Sequence, residues 1–474
     1  MMSSSSLVKF LLLTTSATVL AILYFYQEKI ICSSPPPLAG IPSQDSNVQS
    51  QHVSCTCLKG ATSLKDYVNK DTYDDIIRRR AEEYKKYQIR KKRTQSEVLL
   101  APANSPLQYP IQGFIVIPLQ KSLIPGLSVH AVEKQNYQVT LSVSSGVLAV
   151  EDLQKAEKDK VKGQGEKVLS ISVSSLQSLN DLLGRVSYRS TVYSIKSGDL
   201  VHFTFEQYKA IFPIEIRQPT VPVLYDIKND ISFQVTITTK TFLRYTELNN
   251  LIRSIRNIYK DIKIIIADDS FNPQKVNGTN IEQYFMPPAQ GWFAGRNLAV
   301  SQVTTKYFLW VDDDFEFTDS TKIEKFVEIM ESKPELDVVG GSVSSNSFSF
   351  KVLYEDGDEE GGCLSKVPGN YQPIPGIPNC FFTSGVINFF LARTDAVRKV
   401  GFDPLLKRVG HSEFFMDGLG ELLVGSCPQL SIGHQPKRTG NNEEYYKYRM
   451  PPRSDTESKL ALHFFKNRLK CVKY

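Results

Sequence analysis

Three consecutive carboxylates, Asp312-Asp313-Asp314, end the apolar run Tyr307-Phe308-Leu309-Trp310-Val311. Packed that closely, like charges repel unless a cation or hydrogen-bond donors compensate them. In extended chain alternate side chains share a face, so Asp312 and Asp314 point together. Hard divalent cations take carboxylate oxygens together with substrate phosphate oxygens, which makes this spacing suited to a metal-diphosphate site. A bare triple aspartate is most often a solvated turn. What sets this one apart is the buried strand before it and a second acidic strand end, Asp268-Asp269-Ser270, after Ile262–Ala267.

The elements that must position these groups are legible from periodicity. Ser232–Thr239 reads as a strand with Phe233, Val235 and Ile237 on one face. Leu243–Tyr259 has helical spacing through Leu248, Leu251, Ile252, Ile255 and Ile258. With the continuous apolar strand Ile262–Ala267, this predicts a βαβ unit and a parallel sheet. Ligands of such sheets bind beyond the carboxyl ends of the strands, where Thr238, Lys240, Asp268 and Asp269 fall. Gly291-Trp292-Phe293-Ala294-Gly295-Arg296-Asn297 opens a further helix to about Val303. Nothing matches GxGxxG or a Walker loop, which argues against dinucleotide and ATP-type phosphate sites.

The chain has 474 residues, a length for two or three folded units plus connectors. With 41% hydrophobic and 22% charged residues it is an ordinary globular composition, neither disordered, collagenous nor polytopic. Its 56 basic and 50 acidic residues give +6, too mild a balance to predict nucleic-acid binding. Phe10 to Tyr26 carries no charge and suits one membrane-spanning helix; its Tyr-Phe-Tyr-Gln-Glu end offers no small-residue cleavage site, favouring an anchor over a cleaved signal. The expected organisation is a cytosolic tail (1–9), a signal-anchor (10–26), a stem with a charged, solvated helix over Asp71–Arg93 (27–100), a β-rich domain (101–225) and a catalytic α/β domain (226–474). Within the β-rich part, Phe114–Ile117, Tyr137–Val143, Val168–Val173 and Val201–Phe205 read as strands, with no catalytic constellation among them.

The order strand, DDS, GRN on a helix, strand and DxD resembles the nucleotide-sugar half of GT-A glycosyltransferases. APANSPLQYPIQG (Ala101–Gly113), GWFAGRNLAVSQVTTKY (Gly291–Tyr307), WVDDDF (Trp310–Phe315), NFFLARTD (Asn388–Asp395) and EFFMDGLG (Glu413–Gly420) resemble the animal beta-1,4-N-acetylgalactosaminyltransferases, over Cys55–Cys471. Within that family the first segment is most similar to the ganglioside branch, with the Sda-type branch as competitor. The resemblance implies a GT-A-type, Rossmann-like catalytic domain in the Golgi membrane, single-pass type II with a lumenal catalytic part. It implies inverting transfer from UDP-GalNAc to the galactose of a sialylated glycolipid, with Mn2+ or Mg2+. Such a transfer needs a cation for the departing diphosphate and a base for the acceptor hydroxyl. Asp314, with Asp312 toward ribose and metal, is the expected cation site, and His434 a further metal ligand. Asp268, Asp269, Arg296, Asp312 and Asp313 are the expected nucleotide-sugar contacts. The base is expected on His411–Asp417, Glu413 ahead of Asp417. A membrane-tethered glycan-binding partner that lost turnover is the alternative.

Apart from Cys32, six cysteines remain, and they allow 15 pairings. The resemblance implies a disulfide-linked homodimer, with Cys380–Cys427 within one catalytic domain and Cys55 and Cys57 reaching Cys363 and Cys471 across chains. Asn277-Gly278-Thr279 is a glycosylation sequon in a polar loop.

Overall fold

The computed structural model describes residues 55–92, 106–225, 228, 230–436 and 443–474. The expected tail, the anchor at 10–26 and the Pro-rich start of the stem lie outside the described residues. Among the described residues no helix is long and apolar enough to cross a membrane.

Residues 55–92, expected to be stem, are built into the folded unit. Thr62–Ser63 pairs antiparallel with the last strand, Ser63 opposite Cys471. Helix α1, Lys70–Lys92, follows. The expected solvated helix is there, but Tyr73, Ile76 and Ile77, at i, i+3 and i+4, pack against a cluster containing Leu64, Phe350 and Phe464. That three-residue stripe is hidden in the sequence by the charges around it. Disulfides Cys55–Cys363 and Cys57–Cys471 fasten the segment, and Cys380–Cys427 closes a separate loop. The first two were expected across chains. Here both close within one chain, because the Thr62–Ser63 pairing carries Cys55 and Cys57 to within 6.0 and 5.7 Å (Cα–Cα) of their partners.

The β-rich part has β1 (Phe114–Val116), β2 (Tyr137–Ser142), β3 (Val161–Lys162), β4 (Val168–Val173), β5 (Lys196–Phe205) and β6 (Tyr208–Arg217); β1, β2 and β4 stand where period two placed them, β5 starts five residues earlier, and β3 and β6 were not expected. They form one sheet in the order β1-β6-β5-β2-β4-β3. With a three-stranded sheet and helix α2 (Leu176–Leu183) they enclose their own apolar core around Tyr137, Leu141, Phe203 and Phe212. Buried Asp199 is a structural member of that core's edge, accepting from Ser144 N, Ser145 N and Tyr188 Oη.

The following sheet carries the chemistry. Its first strand, β7, is Val235–Thr241, not Ser232–Thr239. Ile231–Gln234 is a helical turn, because the Asp230 side chain accepts from Ser232 N at 2.8 Å and caps it; Phe233 is left half exposed. Helix α3 (Tyr245–Ile258) buries Leu248, Leu251 and Ile255, the expected stripe. Then come β8 (Lys263–Asp268), β9 (Ile281–Phe285), helix α4 (Trp292–Ser301) and β10 (Tyr307–Trp310). These four strands are parallel, in the order β9-β8-β7-β10, so the predicted βαβ unit is present. Odd and even residues divide between two cores: Ile264, Ile266 and Leu309 face α3, while Ile265, Ala267, Phe308 and Trp310 share the other core with residues of α4.

Beyond β10 the sheet turns mixed. β11 (Phe315–Glu316), helix α5 (Ile323–Ser332) and β12 (Val338–Val343) are followed by a hairpin, β13 (Ser349–Asp358) and β14 (Gly361–Pro368). β15 (Phe390–Arg393) runs antiparallel between β10 and β12. Helix α6 (His411–Asp417) and β16 (Val424–His434) complete the site-forming elements. Helix α7 (Arg453–Ala461) and the terminal strand β17 (Leu469–Lys473) close the chain, β17 lying parallel to β14.

Candidate active site

β7, β8 and β10 are parallel, so their carboxyl ends open on one edge, and the acidic residues follow two of those ends. Asp312 and Asp314 face a crevice of about 260 Å³ that Asn388, His411, His434 and Arg244 also line. Asp313, one residue out of phase, turns inward and is 1% exposed. It accepts from Thr241 Oγ1 at 3.0 Å and pairs with Arg244 Nη2 at 3.3 Å. The expected sugar-nucleotide contact through Asp313 is therefore corrected: its carboxylate braces the strand ends from behind.

Asp314 Oδ2 lies 2.6 Å from Arg244 Nη2 and 3.4 Å from His434 Nε2. The register explains the histidine: β16 pairs antiparallel with β11, setting Phe315 opposite His434. His434 Nδ1 is 2.6 Å from Gln435 O, so it donates there and leaves the Nε2 lone pair facing Asp314. An imidazole oriented by a carbonyl beside a carboxylate is a donor set that suits a divalent cation. Asp312 accepts from Trp310 Nε1 at 3.0 Å and Asn388 Nδ2 at 3.1 Å, with Arg296 Nη2 at 3.9 Å. Burial first, and then Asp314, pushes its carboxyl up to about 6 against the pull of Arg296. Burial likewise pushes Asp313 up to about 7, opposed by Arg244. Arg244 itself is held above its ordinary value: burial disfavours its charge, but Asp313 and Asp314 outweigh that.

Arg296 is fully buried, its guanidinium 4.4 Å from the Trp310 ring. From there it steadies Asp312. Asp268 accepts from Tyr245 Oη, Gln283 Nε2 and Ser270 N, with 0% exposure, and orders the turn after β8. Asp269 pairs with buried Lys240 at 2.6 Å and accepts from Gly291 N at 2.8 Å. Both line a second cavity of about 480 Å³ with Phe242, Trp292, Arg408 and Tyr448. Trp292 and Arg408 belong to both cavities, so the two are neighbours and together can take an elongated ligand.

Glu413 and Asp417 are not brought to the crevice. Glu413 accepts through Oε1 from Lys459 Nζ at 2.8 Å, His463 Nε2 at 3.2 Å and Tyr474 Oη at 3.2 Å. Burial would raise its pKa, yet His463 and Lys459 hold it below the usual carboxylate range. Asp417 pairs with Lys466 at 2.9 Å. Two helical residues apart is about 200° of rotation, so when His411 faces the crevice, Glu413 faces α7. His411 Nε2 sits 2.8 Å from Val386 O, which assigns the proton to Nε2; Nδ1 is buried without a partner. Burial, with help from Arg296, pushes its pKa down to about 3 and keeps the ring neutral.

The Glycosyl transferase family 2 profile matches residues 236–356, the span from β7 through the aspartates to β13. Over 431 residues the chain is 46% identical to Beta-1,4 N-acetylgalactosaminyltransferase 2 of Mus musculus, covering 88% of this chain and 84% of that one. Over 418 residues it is 46% identical to Beta-1,4 N-acetylgalactosaminyltransferase 1 of Homo sapiens, covering 83% and 78%. The chain belongs to the beta-1,4 N-acetylgalactosaminyltransferase family. Among solved structures, GalNAc-T7 with UDP, GalNAc and Mn2+ aligns over 49% of this chain and 48% of that one, at 10% identity and a TM-score of 0.36.

The transferase carries its family 2 glycosyltransferase match on a mixed α/β sheet. Sequence reasoning missed four residues of its site. Arg244 follows β7 directly, and a cation after the first strand was a usable signal. Asn388 lies just before β15, Arg408 in the loop before α6, and His411 opens α6, all far along the chain from the aspartates they join in the crevice.

Proposed function

We propose that this chain transfers GalNAc from UDP-GalNAc, with inversion, in β1,4 linkage to the galactose of sialylated lactosylceramides. The observation that carries the reading is Asp314 beside the free Nε2 of His434, in a crevice continuous with the cavity bounded by Lys240, Asp269 and Trp292. A divalent cation, Mn2+ or Mg2+, held by Asp314 and His434 with Asp312 would neutralise the charge leaving on the diphosphate. Asp269, Lys240 and the Trp292 ring bound the space for the nucleoside. Arg244 and Arg408 supply fixed positive charge along the diphosphate's length. The acceptor hydroxyl enters from the side of α6, where His411 lines the crevice and its neutral ring would take a hydrogen bond from that hydroxyl.

The anchor at 10–26 would tether the catalytic part to the lumenal face of a Golgi membrane, close to a lipid acceptor. Incubating the protein with UDP-GalNAc, Mn2+ and a panel of sialylated glycolipids and glycoproteins tests the reading. Transfer to the glycolipids alone is expected. Transfer to glycoproteins alone would move the acceptor to the Sda type, and no turnover on any glycan would leave a binding protein.

A further inference from the structure

Away from the crevice, and sharing no lining residue with it, a cavity of about 780 Å³ opens between α1 and the chain segment 465–468. Its charge is unbalanced. Arg79, Arg80, Lys466 and Arg468 contribute four cations, against two carboxylates, Glu83 and Asp356. Two of the cations are spoken for: Lys466 pairs with Asp417, and Arg79 with Asp75 outside the cavity. Arg468 lies 3.8 Å from Asp356, and its guanidinium stacks on the Tyr84 ring at 3.4 Å.

Arg80 is different. Its Nη2 donates to Leu469 O at 2.9 Å, but Nε and Nη1 are buried with no acceptor, as is Nε of Arg468. Burial, and then the neighbouring Arg468, push the Arg80 guanidinium down to about 10 against the opposing pull of Tyr73 and Glu360. Buried guanidinium donors left without acceptors are costly, and an oxyanion is the group that relieves both the missing bonds and the repulsion. Around this floor the mouth is aromatic: Tyr87, Tyr354 and Phe465 are each about half exposed. Rings at the rim of a basic floor match a ligand with an apolar ring face and a carboxylate.

We propose that this cavity is a second saccharide site, binding an acidic sugar through its carboxylate over Arg80 and Arg468 and its ring against Tyr87 and Phe465. The site is independent of catalysis; it rests on the proposed function only for the choice of sialic acid as probe. α1 is one wall, so the bridges from Cys55 and Cys57 also hold this site together.

The test is saturation-transfer NMR and calorimetry on the full-length protein, with the α-methyl glycoside of N-acetylneuraminic acid, which lacks an acceptor galactose. Binding is expected to weaken at least about tenfold for the C1 methyl ester, to fall with salt, and to drop about fivefold or more in Tyr87→Ala and Phe465→Ala. Both variants are expected to keep the wild-type melting temperature and donor turnover. Arg80→Lys, which keeps charge but loses the fork, is expected to behave likewise in binding. Asp314→Ala, which disables the crevice, should bind the glycoside as wild type does, so failure here and failure of the transferase reading are distinguishable. Equal binding of acid and ester would overturn the proposal, as would unchanged affinity in Tyr87→Ala with competition by inorganic sulfate at matching concentration.

Discussion

Asp312, Asp313 and Asp314 are adjacent yet meet three different environments, and each environment yields its own prediction. Asp314 faces the crevice with an imidazole beside it, so Asp314→Ala is expected to cut transfer by about 10²–10³-fold or more while leaving the melting temperature near wild type. Retained turnover would show the cation site is elsewhere. Asp312 and Asp313 sit at about 6 and about 7, well above the about 3.9 of an unfolded chain. Between about pH 4 and those values each therefore holds a proton in the native state that the unfolded chain has released. The stability they contribute is present at low pH and is lost as pH rises from about 4 through those values. A cation favours the ionised forms, so its affinity should climb over the same window. Thermal shifts by Mn2+ measured near about pH 5 and about pH 8 check this; equal shifts at both would count against it. On the acceptor side, His411→Gln is expected to raise KM for the acceptor by about tenfold with little change in stability. Glu413→Gln should instead destabilise by about 3 kcal/mol, because Lys459 and His463 lose their counter-charge in a buried setting. Loss of turnover without loss of stability in Glu413→Gln would make Glu413 the base.

Among the elements, helix α4 is the most exacting. Gly291 starts it at φ +94°, a backbone region open to glycine, and donates its N–H to Asp269. Gly295, one turn on, leaves no room for a side chain: an added Cβ would lie 2.4 Å from Lys240 Cγ. Gly295→Ala should displace Lys240 from Asp269, costing about 1–3 kcal/mol and raising KM for the donor more than it lowers kcat. A donor KM equal to wild type would show that the Lys240–Asp269 pair does not shape that cavity. The strands and helices that place this site were readable because their apolar periodicity is strong: β8, β10 and the α3 stripe all stand within two residues of expectation. β7 was offset because a local cap at Asp230 competes with strand formation, and β-propensity carries no information about such a side-chain bond.

For the whole molecule, the notable result is that the segment before the β-rich part belongs to the catalytic body. It pairs with the last strand of the chain and is bolted by bridges spanning 308 and 414 residues. Links that close such long loops restrict the unfolded chain strongly, so reduction is expected to lower stability by about 2–5 kcal/mol, read as a loss of melting temperature. Non-reducing gels check the connectivity: a wild-type band of single mass is the expected pattern. A band of double mass, absent in Cys55→Ser/Cys57→Ser, would mean that the bridges are exchanged between chains.

By itself the sequence determined the parallel βαβ core, the acidic strand ends and the direction in which Asp312 and Asp314 point, since these follow from periods of two and 3.6 and from where apolar runs stop. The partners of those residues were settled only by tertiary structure. Which aspartate is neutralised by Arg244, that His434 lies beside Asp314, and that α6 offers His411 rather than Glu413 to the crevice all depend on antiparallel pairings and helix rotation between segments tens to hundreds of residues apart. Contacts at that separation leave no periodic trace in a single chain.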